Sequence, residues 1–339
     1  MIIFTRRKMG LILFTITFFL LYPTYVHSND VNPFQTRNLN PFTRVFSWPS
    51  GMQSRIEIPG NFQLGMRYEV GNSCSWDTSN VSEQIYLDGE SSWLTMHLEY
   101  RPTDRYSFGI EVPYVSHSRG YLDKFVDLWH HLTGLPQGRR KSVSERQIRY
   151  SYKTGQMRRV EQNSAEAGFG NILVTGALQL LKSNANALAI YSGYSIPAFT
   201  GQNPLHKTSS DLSILISGSQ RLNLLNLQPV LFASIGVIFP GRIENLASIQ
   251  RHHVLTGRIG GAVNLSENIV VKCQFDFNSP FYESDLDQIG AWGGQLILGG
   301  VVRQKKSRAI NFGVTEDNIV STAPDFGFLI GIDQVLSIH

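Results

Sequence analysis

Cysteine is scarce here: Cys74 and Cys273 are the only two in 339 residues, too few for a disulfide framework. An exported chain could still pair them. Cys74, however, reads as a loop residue, and Cys273 falls mid-strand, so two free thiols are expected, Cys273 packing like a small apolar side chain. An excess of one charge is also missing. Of the net +4, Arg6, Arg7 and Lys8 contribute three and precede the first acid, Asp30, so the rest of the chain is near +1. That balance gives no argument for a nucleic-acid partner, none is expected, and the short basic run Arg139, Arg140 and Lys141 reads as a solvated loop. After the first 28 residues no apolar run approaches the roughly 18 residues of a membrane-spanning helix.

One apolar run is present, from Met9 to Tyr25, behind the basic Arg6, Arg7 and Lys8. Val26-His27-Ser28 follows with residues a signal peptidase accepts, which predicts a signal peptide over 1–28, cleaved before Asn29. Hydrophobic content of 42% and mean hydropathy of −0.11 are too polar for a helical membrane protein. They suit a transmembrane barrel, in which half of each strand faces a polar interior.

From Asn61 onwards the hydrophobic period is two. Phe62, Leu64, Met66, Tyr68 and Val70 alternate with Gln63, Gly65, Arg67 and Glu69. Ile269, Val271, Cys273, Phe275 and Phe277 alternate with Val270, Lys272, Gln274, Asp276 and Asn278. Such alternation gives each strand one apolar and one polar face. A soluble sandwich would show the same pattern, and the connections separate the two. Short links at 102–105, 182–186, 223–226, 266–268 and 304–307 alternate with long ones at 71–83, 116–167, 197–209, 240–251, 280–288 and 316–323. Long loops on one side and tight turns on the other mark a membrane barrel. Twelve strands are predicted, at 61–70, 84–101, 106–115, 168–181, 187–196, 210–222, 228–239, 252–265, 269–279, 289–303, 308–315 and 324–335. An even count places both ends of the barrel on the periplasmic side, and closure leaves no unpaired edge facing lipid.

Residues 29–60 do not join this pattern. Pro33, Pro41, Pro49 and Pro59 interrupt them, and Asn32-Pro33-Phe34 recurs as Asn40-Pro41-Phe42. Proline blocks ladder hydrogen bonds, so the segment is expected to be irregular, either hanging in the periplasm or plugging the lumen.

If apolar residues face lipid, the lumen-facing candidates are Arg67, Glu69, His97, Glu99, Glu111, Arg258, Lys272 and Asp276. Mixed signs predict crossed ion pairs that hold the interior shut, or else a polar path. In the longest loop Leu122, Phe125, Val126, Trp129 and Leu132 recur at helical spacing, ended by Gly134 and Pro136. Such a helix could pack on the rim, lie on the outer leaflet, or close the mouth, which makes Leu122, Phe125 and Trp129 candidate gate residues. Asp127, His130 and His131 share the helix with no HExxH or CxxC motif, so no metal is expected. Ser116-His117-Ser118 lacks the convergent third group of a hydrolase, because adjacent residues of an extended chain point opposite ways.

Several motifs carry a family resemblance. Leu87-Asp88-Gly89-Glu90 is followed by Glu111-Val112-Pro113-Tyr114-Val115-Ser116-His117-Ser118 and Gly134-Leu135-Pro136-Gln137-Gly138-Arg139. Gly168-Phe169-Gly170-Asn171-Ile172, Gly313-Val314-Thr315-Glu316-Asp317 and Thr322-Ala323-Pro324-Asp325-Phe326-Gly327-Phe328 come later. In this order they resemble an uncharacterised family of Gram-negative outer-membrane proteins, a domain of unknown function. The resemblance implies an outer-membrane location and carries over no activity or catalytic residue. More distantly, the glycine-bracketed strand start and the ending Ile196-Pro197 look like barrels that admit fatty acids or aromatic compounds, although Asn171 stands where their acidic residue usually lies. The end Leu336-Ser337-Ile338-His339 also departs from the terminal aromatic of many barrels.

The combined expectation is an all-β, transmembrane, antiparallel up-and-down barrel spanning 61–339, with a short helix in one long extracellular loop. Its expected role is passive passage or uptake of a small molecule. The alternatives are a structural or surface-interaction barrel with a closed lumen and, third, a lipid-modifying enzyme; an enzyme is not the expectation. The expected partners are outer-membrane lipids, the barrel-assembly machinery and an unidentified small-molecule ligand, with no cofactor.

Overall fold

The computed structural model describes residues 32–337 except 58, 80–81, 134–146, 199–204, 206, 225–227, 305–306 and 318–321. The predicted signal peptide and the helix stop at Gly134 and Pro136 lie outside the described residues.

Twelve strands form the wall. They are β1 (Asn61–Asp77), β2 (Glu83–Arg101), β3 (Tyr106–Ser118), β7 (Ile172–Lys182), β8 (Asn186–Ile196), β9 (Leu212–Arg221), β10 (Val230–Phe239), β11 (Val254–Asn264), β12 (Ile269–Asn278), β13 (Gly293–Gln304), β14 (Arg308–Asp317) and β15 (Phe326–Ser337). Each pairs antiparallel with its neighbour, and β15 returns to β1 in a register running from Asn61↔Ser337 to Asn72↔Phe326. That last seam closes the cylinder, so from Asn61 to Asn72 β1 keeps no open row of backbone donors and acceptors.

The period-two pattern divides the wall as expected. Phe108, Ile235 and Ile259 are exposed on the outside at 56%, 56% and 59%. Thr95, Ser213, Gln274 and Gln295 are buried on the inside. A wall that exposes its large apolar residues and buries its polar ones inverts a soluble protein, which only an apolar solvent outside can stabilise.

Two parts of the sequence reading need correction. First, β1 runs to Asp77 instead of ending at Val70, pairing Val70↔Ser92 through Asp77↔Ile85, so Cys74 is a buried strand residue and not a loop residue. Residues 71–75 are small and polar and carry no hydrophobic period to read. Second, the stretch read as a loop at 116–167 holds further strands besides its helix, the last of them running on to Phe169, so that the strand expected from 168 begins only at Ile172. Strands β4 (Arg149–Thr154) and β5 (Met157–Gln162) form a hairpin that adds to the upper half of β2, and β6 (Glu166–Phe169) pairs with the end of β3. At 17 and 19 residues, β1 and β2 exceed the roughly 9–11 residues that cross a bilayer and stand beyond it at the long-loop end. Cys74 and Cys273 are both free; Cys273 is exposed on the outer face, not packed in a core, because its parity is that of Val271 and Phe275.

Ile235 is mid-strand in the apolar band. Ile235→Arg is expected to cost about 2–4 kcal/mol of folding stability in lipid vesicles, against little change for Ile235→Leu. Urea unfolding followed by tryptophan fluorescence measures the difference, and equal stability of the two variants would contradict the assigned outer face.

Candidate functional site: a lumen filled by the amino-terminal segment

Residues 32–57 lie inside the barrel as an ascending and a descending arm. The ascending arm follows β12 upward from the short-turn end. Lys272 Nζ donates to the Asn32 carbonyl (3.0 Å), Phe34 N donates to Gln274 Oε1 (2.8 Å), and Thr36 Oγ1 donates to Asp276 Oδ2 (2.5 Å). The two-residue step matches the strand's own inward period, so an extended chain finds a partner at each inward side chain. The prolines, which cannot serve a ladder, are tolerated because side chains supply these bonds.

At the long-loop end the segment turns through α1 (Pro41–Arg44). Asn40 caps this turn, its Oδ1 accepting from Phe42 N, while Pro41 occupies a first-turn position where its missing N–H costs nothing. The two Asn-Pro-Phe copies thus do different work. Phe34 packs low in the lumen with Ile297 and Leu329. Phe42 packs high, among Phe46, Tyr152 and Tyr282, with Tyr282 OH donating to its carbonyl (2.8 Å). The segment then descends along β9 to the end of β7: Ser217 Oγ donates to the Met52 carbonyl (3.0 Å), Ser54 Oγ bonds Ser219 Oγ (2.6 Å), and Lys182 Nζ, on β7, donates to the Ile56 carbonyl (2.6 Å).

Between the arms is a charge cluster. Arg67 Nε lies 3.0 Å from Glu69, Arg37 2.7 Å from Glu111, Arg44 3.6 Å from Glu69, and Arg258 3.7 Å from Asp276. Arg258 also donates to the carbonyls of Phe34 (2.9 Å), Ser50 (2.5 Å) and Thr36 (3.2 Å), clamping both arms. Removing one partner of such buried pairs leaves an uncompensated charge, which is the costly outcome. Of the sequence candidates, five (Arg67, Glu69, Glu111, Arg258 and Asp276) meet in this cluster. His97 stands apart with Asp333 (2.9 Å), Glu99 with Arg101 (3.1 Å), and Lys272 over the Phe34 ring at 4.0 Å. The His97–Asp333 pair meets over Gly65, which is registered opposite both; a Cβ there would stand 2.0 Å from the His97 ring.

Sequence reasoning missed Arg37 and Arg44, because the segment's side chains have no period that assigns them a face. It also missed Lys207, buried in the loop after β8 in a salt bridge with Asp211, where burial pulls the ammonium below its ordinary range despite the carboxylate beside it. Asp211 also accepts from Ser47 N (2.8 Å), so this loop helps to roof the segment.

The helix α2 (Asp123–Thr133) stands elsewhere. Phe125 and Trp129 pack against Phe326, which shares the outward parity of Phe328 and Ile330, and Trp129 Nε1 donates to Glu316 Oε1 (2.5 Å). Gly120, at φ 77°, lets the chain approach Glu90, which accepts from Tyr121 N (2.7 Å) and Leu122 N. Leu122, Phe125 and Trp129 therefore lie on the outer flank of β1, β14 and β15, away from the lumen. His117 Nδ1 meets Ser91 Oγ at 2.7 Å, itself 3.0 Å from Tyr150 OH; the pair is across strands and not with Ser116 or Ser118. Among the described residues no group of three or more His, Cys, Asp or Glu side chains could hold a metal ion.

A closed twelve-stranded antiparallel barrel with an apolar exterior and a lumen occupied by its own amino-terminal segment belongs to the class of transmembrane β-barrels. The chain belongs to the DUF3187 family, described as proteins of unknown function, whose pattern it matches over residues 10–334. Among solved structures it is similar to the COG4313 outer membrane channel from Pseudomonas putida F1, with a TM-score of 0.53 and 11% identity over 84% of this chain and 98% of that one. It is also similar, with a TM-score of 0.38 and 10% identity, to the KdgM porin, covering 82% of this chain and 99% of that one. The first of these likenesses is one of fold. No curated protein matches the chain by sequence.

Arg258→Gln removes charge-assisted bonds worth about 1.5–3 kcal/mol each in such settings. Amide hydrogen exchange at Phe34, Gln35 and Thr36 is expected to quicken at least tenfold while the wall strands stay protected. Unchanged exchange would show that Arg258 does not clamp the segment.

Proposed function

We propose that this protein is an outer-membrane channel for a small molecule, held closed by its own amino-terminal segment. In this reading the short turns and the segment's entry face the periplasm, and the long loops face outward. The observation that carries it is the course of residues 32–57, which cross the lumen twice and bond inward-facing side chains on both passes. A chain that lines its interior with polar side chains, and then satisfies them with a separate, non-wall segment, has an interior that can exist in two states. The gate in this reading is the segment, while α2 braces the outer flank. Outer-membrane lipids and the barrel-assembly machinery are the partners this placement implies, and no catalytic role is assigned.

Energetics limits how the gate works. Phe34, Leu39, Phe42, Phe46, Trp48, Met52 and Ile56 are each at most 3% exposed. At about 1.5–3 kcal/mol per buried large apolar side chain, expelling the whole segment costs on the order of 10 kcal/mol. Spontaneous full opening is then roughly a one-in-10⁷ event. Passage therefore uses a partial rearrangement or an external trigger.

The second reading is a closed structural barrel. It is favoured by the apolar cluster that joins Phe42, Phe46 and Trp48 to Tyr150, Phe281 and Leu286 under the long loops. Planar-bilayer recordings separate the two. The intact protein is expected to be silent or to open rarely, and a variant lacking residues 32–57 to conduct in steady steps. A deletion variant that keeps its heat-modifiable gel migration, the mark of a folded barrel, yet stays silent would overturn the channel reading.

A further inference from the structure

Below the segment, a cavity of about 630 Å³ opens between the short turns, and its lining is unbalanced in charge. Arg67, Arg221, Lys272, Arg303 and Arg308 contribute to it. The lining carboxylates are Glu267 and Asp333. Asp333 is already engaged, lying 2.9 Å from His97 and accepting from Asn311 (2.8 Å) and Gln63 (3.4 Å). Among the acceptors of the cations are uncharged oxygens. Lys272 reaches the Asn32 carbonyl (3.0 Å) and Asn311 Oδ1 (3.3 Å). Arg303 reaches Asn264 Oδ1 (3.1 Å) and the Glu267 carbonyl (3.1 Å), and Arg308 reaches Gln334 Oε1 (3.3 Å). Arg67 donates to Gln35 Oε1 (2.5 Å) besides its pairing with Glu69 (3.0 Å) and Glu111 (3.9 Å).

An ammonium or guanidinium bonds an anionic acceptor about twice as strongly as a neutral one. A cleft of one sign between low-dielectric walls also concentrates ions of the other sign. Two of the neutral acceptors, the Asn32 carbonyl and the Gln35 amide, belong to the ascending arm of the segment. We propose that this vestibule binds small polyvalent anions, and that a bound anion competes with the first residues of the segment for Lys272 and Arg67. This deepens the channel reading by naming its cargo class and a trigger for the gate, and for that role it rests on that reading. An anion would loosen the lower arm at Asn32–Gln35 while leaving Phe42 and Phe46 seated in the upper cluster, which is a smaller change than expulsion.

The test uses the intact mature chain in nanodiscs at low ionic strength, with citrate as the probe and spermidine as the opposite-charge control. Calorimetry is expected to show saturable citrate binding that weakens about tenfold in Arg303→Gln/Arg308→Gln, weakens likewise in Lys272→Met, and falls with added salt. Citrate is also expected to speed amide exchange at Phe34 and Gln35 but not at Phe42. The absence of saturable citrate binding, spermidine binding as tight as citrate, or citrate binding indifferent to both folded variants would overturn the site. Binding without faster exchange would overturn the competition. Neither readout needs current, so a protein that binds citrate yet proves silent after deletion of 32–57 loses the channel reading and keeps the anion site.

Discussion

Everything in this molecule depends on the seam between β1 and β15. A sheet in a bilayer has no water to satisfy its edges, so each backbone donor and acceptor must find a partner within the wall. The twelve-residue register from Asn61↔Ser337 to Asn72↔Phe326 meets that demand. It also creates an enclosed interior lined by alternate residues of every strand, and that interior must itself be filled or wet. The chain fills it with a segment that carries its own arginines and aromatics. Closure of the wall therefore makes the segment's packing possible, and the segment in turn satisfies charges the wall alone would leave exposed to each other.

The interior is divided by chemistry along its axis. At the long-loop end the filling is apolar, with the stacked pair Phe46 and Phe281 at 4.5 Å and Tyr152 and Tyr282 edge-on to Phe42. In the middle it is a compact cluster of arginines and carboxylates. At the short-turn end it is an open, cationic vestibule. Rigidity follows the same order, since dry aromatic contacts and clamped carbonyls hold more firmly than bonds shared with a cavity. The lower arm of the segment is consequently the part of the filling that a ligand can reach.

The wall was legible in the sequence because a membrane barrel must alternate. Phe62 to Val70 and Ile269 to Phe277 could be assigned faces from period alone, and turn lengths supplied the topology. The upper part of β1 was not legible, since Gly71, Asn72, Ser73 and Ser75 pair through backbone groups common to all residues. Strands β4 and β5 were hidden for a different reason: Tyr150 and Tyr152 do alternate with Ser151 and Lys153, but each strand is only six residues long and lies inside what turn lengths read as one long connection. Within the lumen, Arg67, Glu111 and Asp276 could be placed because they sit on strands. Their partners Arg37 and Thr36 lie in irregular chain, whose side-chain directions are set only by what it packs against.

The segment's bonds to β12 join residues 240 positions apart in sequence. Asn32, Phe34 and Thr36 are made early by the ribosome, and Lys272, Gln274 and Asp276 long after them. The earliest part of the barrel chain thus has no seat until almost all of the rest exists. Its arginines and aromatic rings come to rest only when the wall around them is nearly a full circle. A cork of this kind can be seated only when its staves are at hand, so the filling of the bore depends on strands made long after the cork itself.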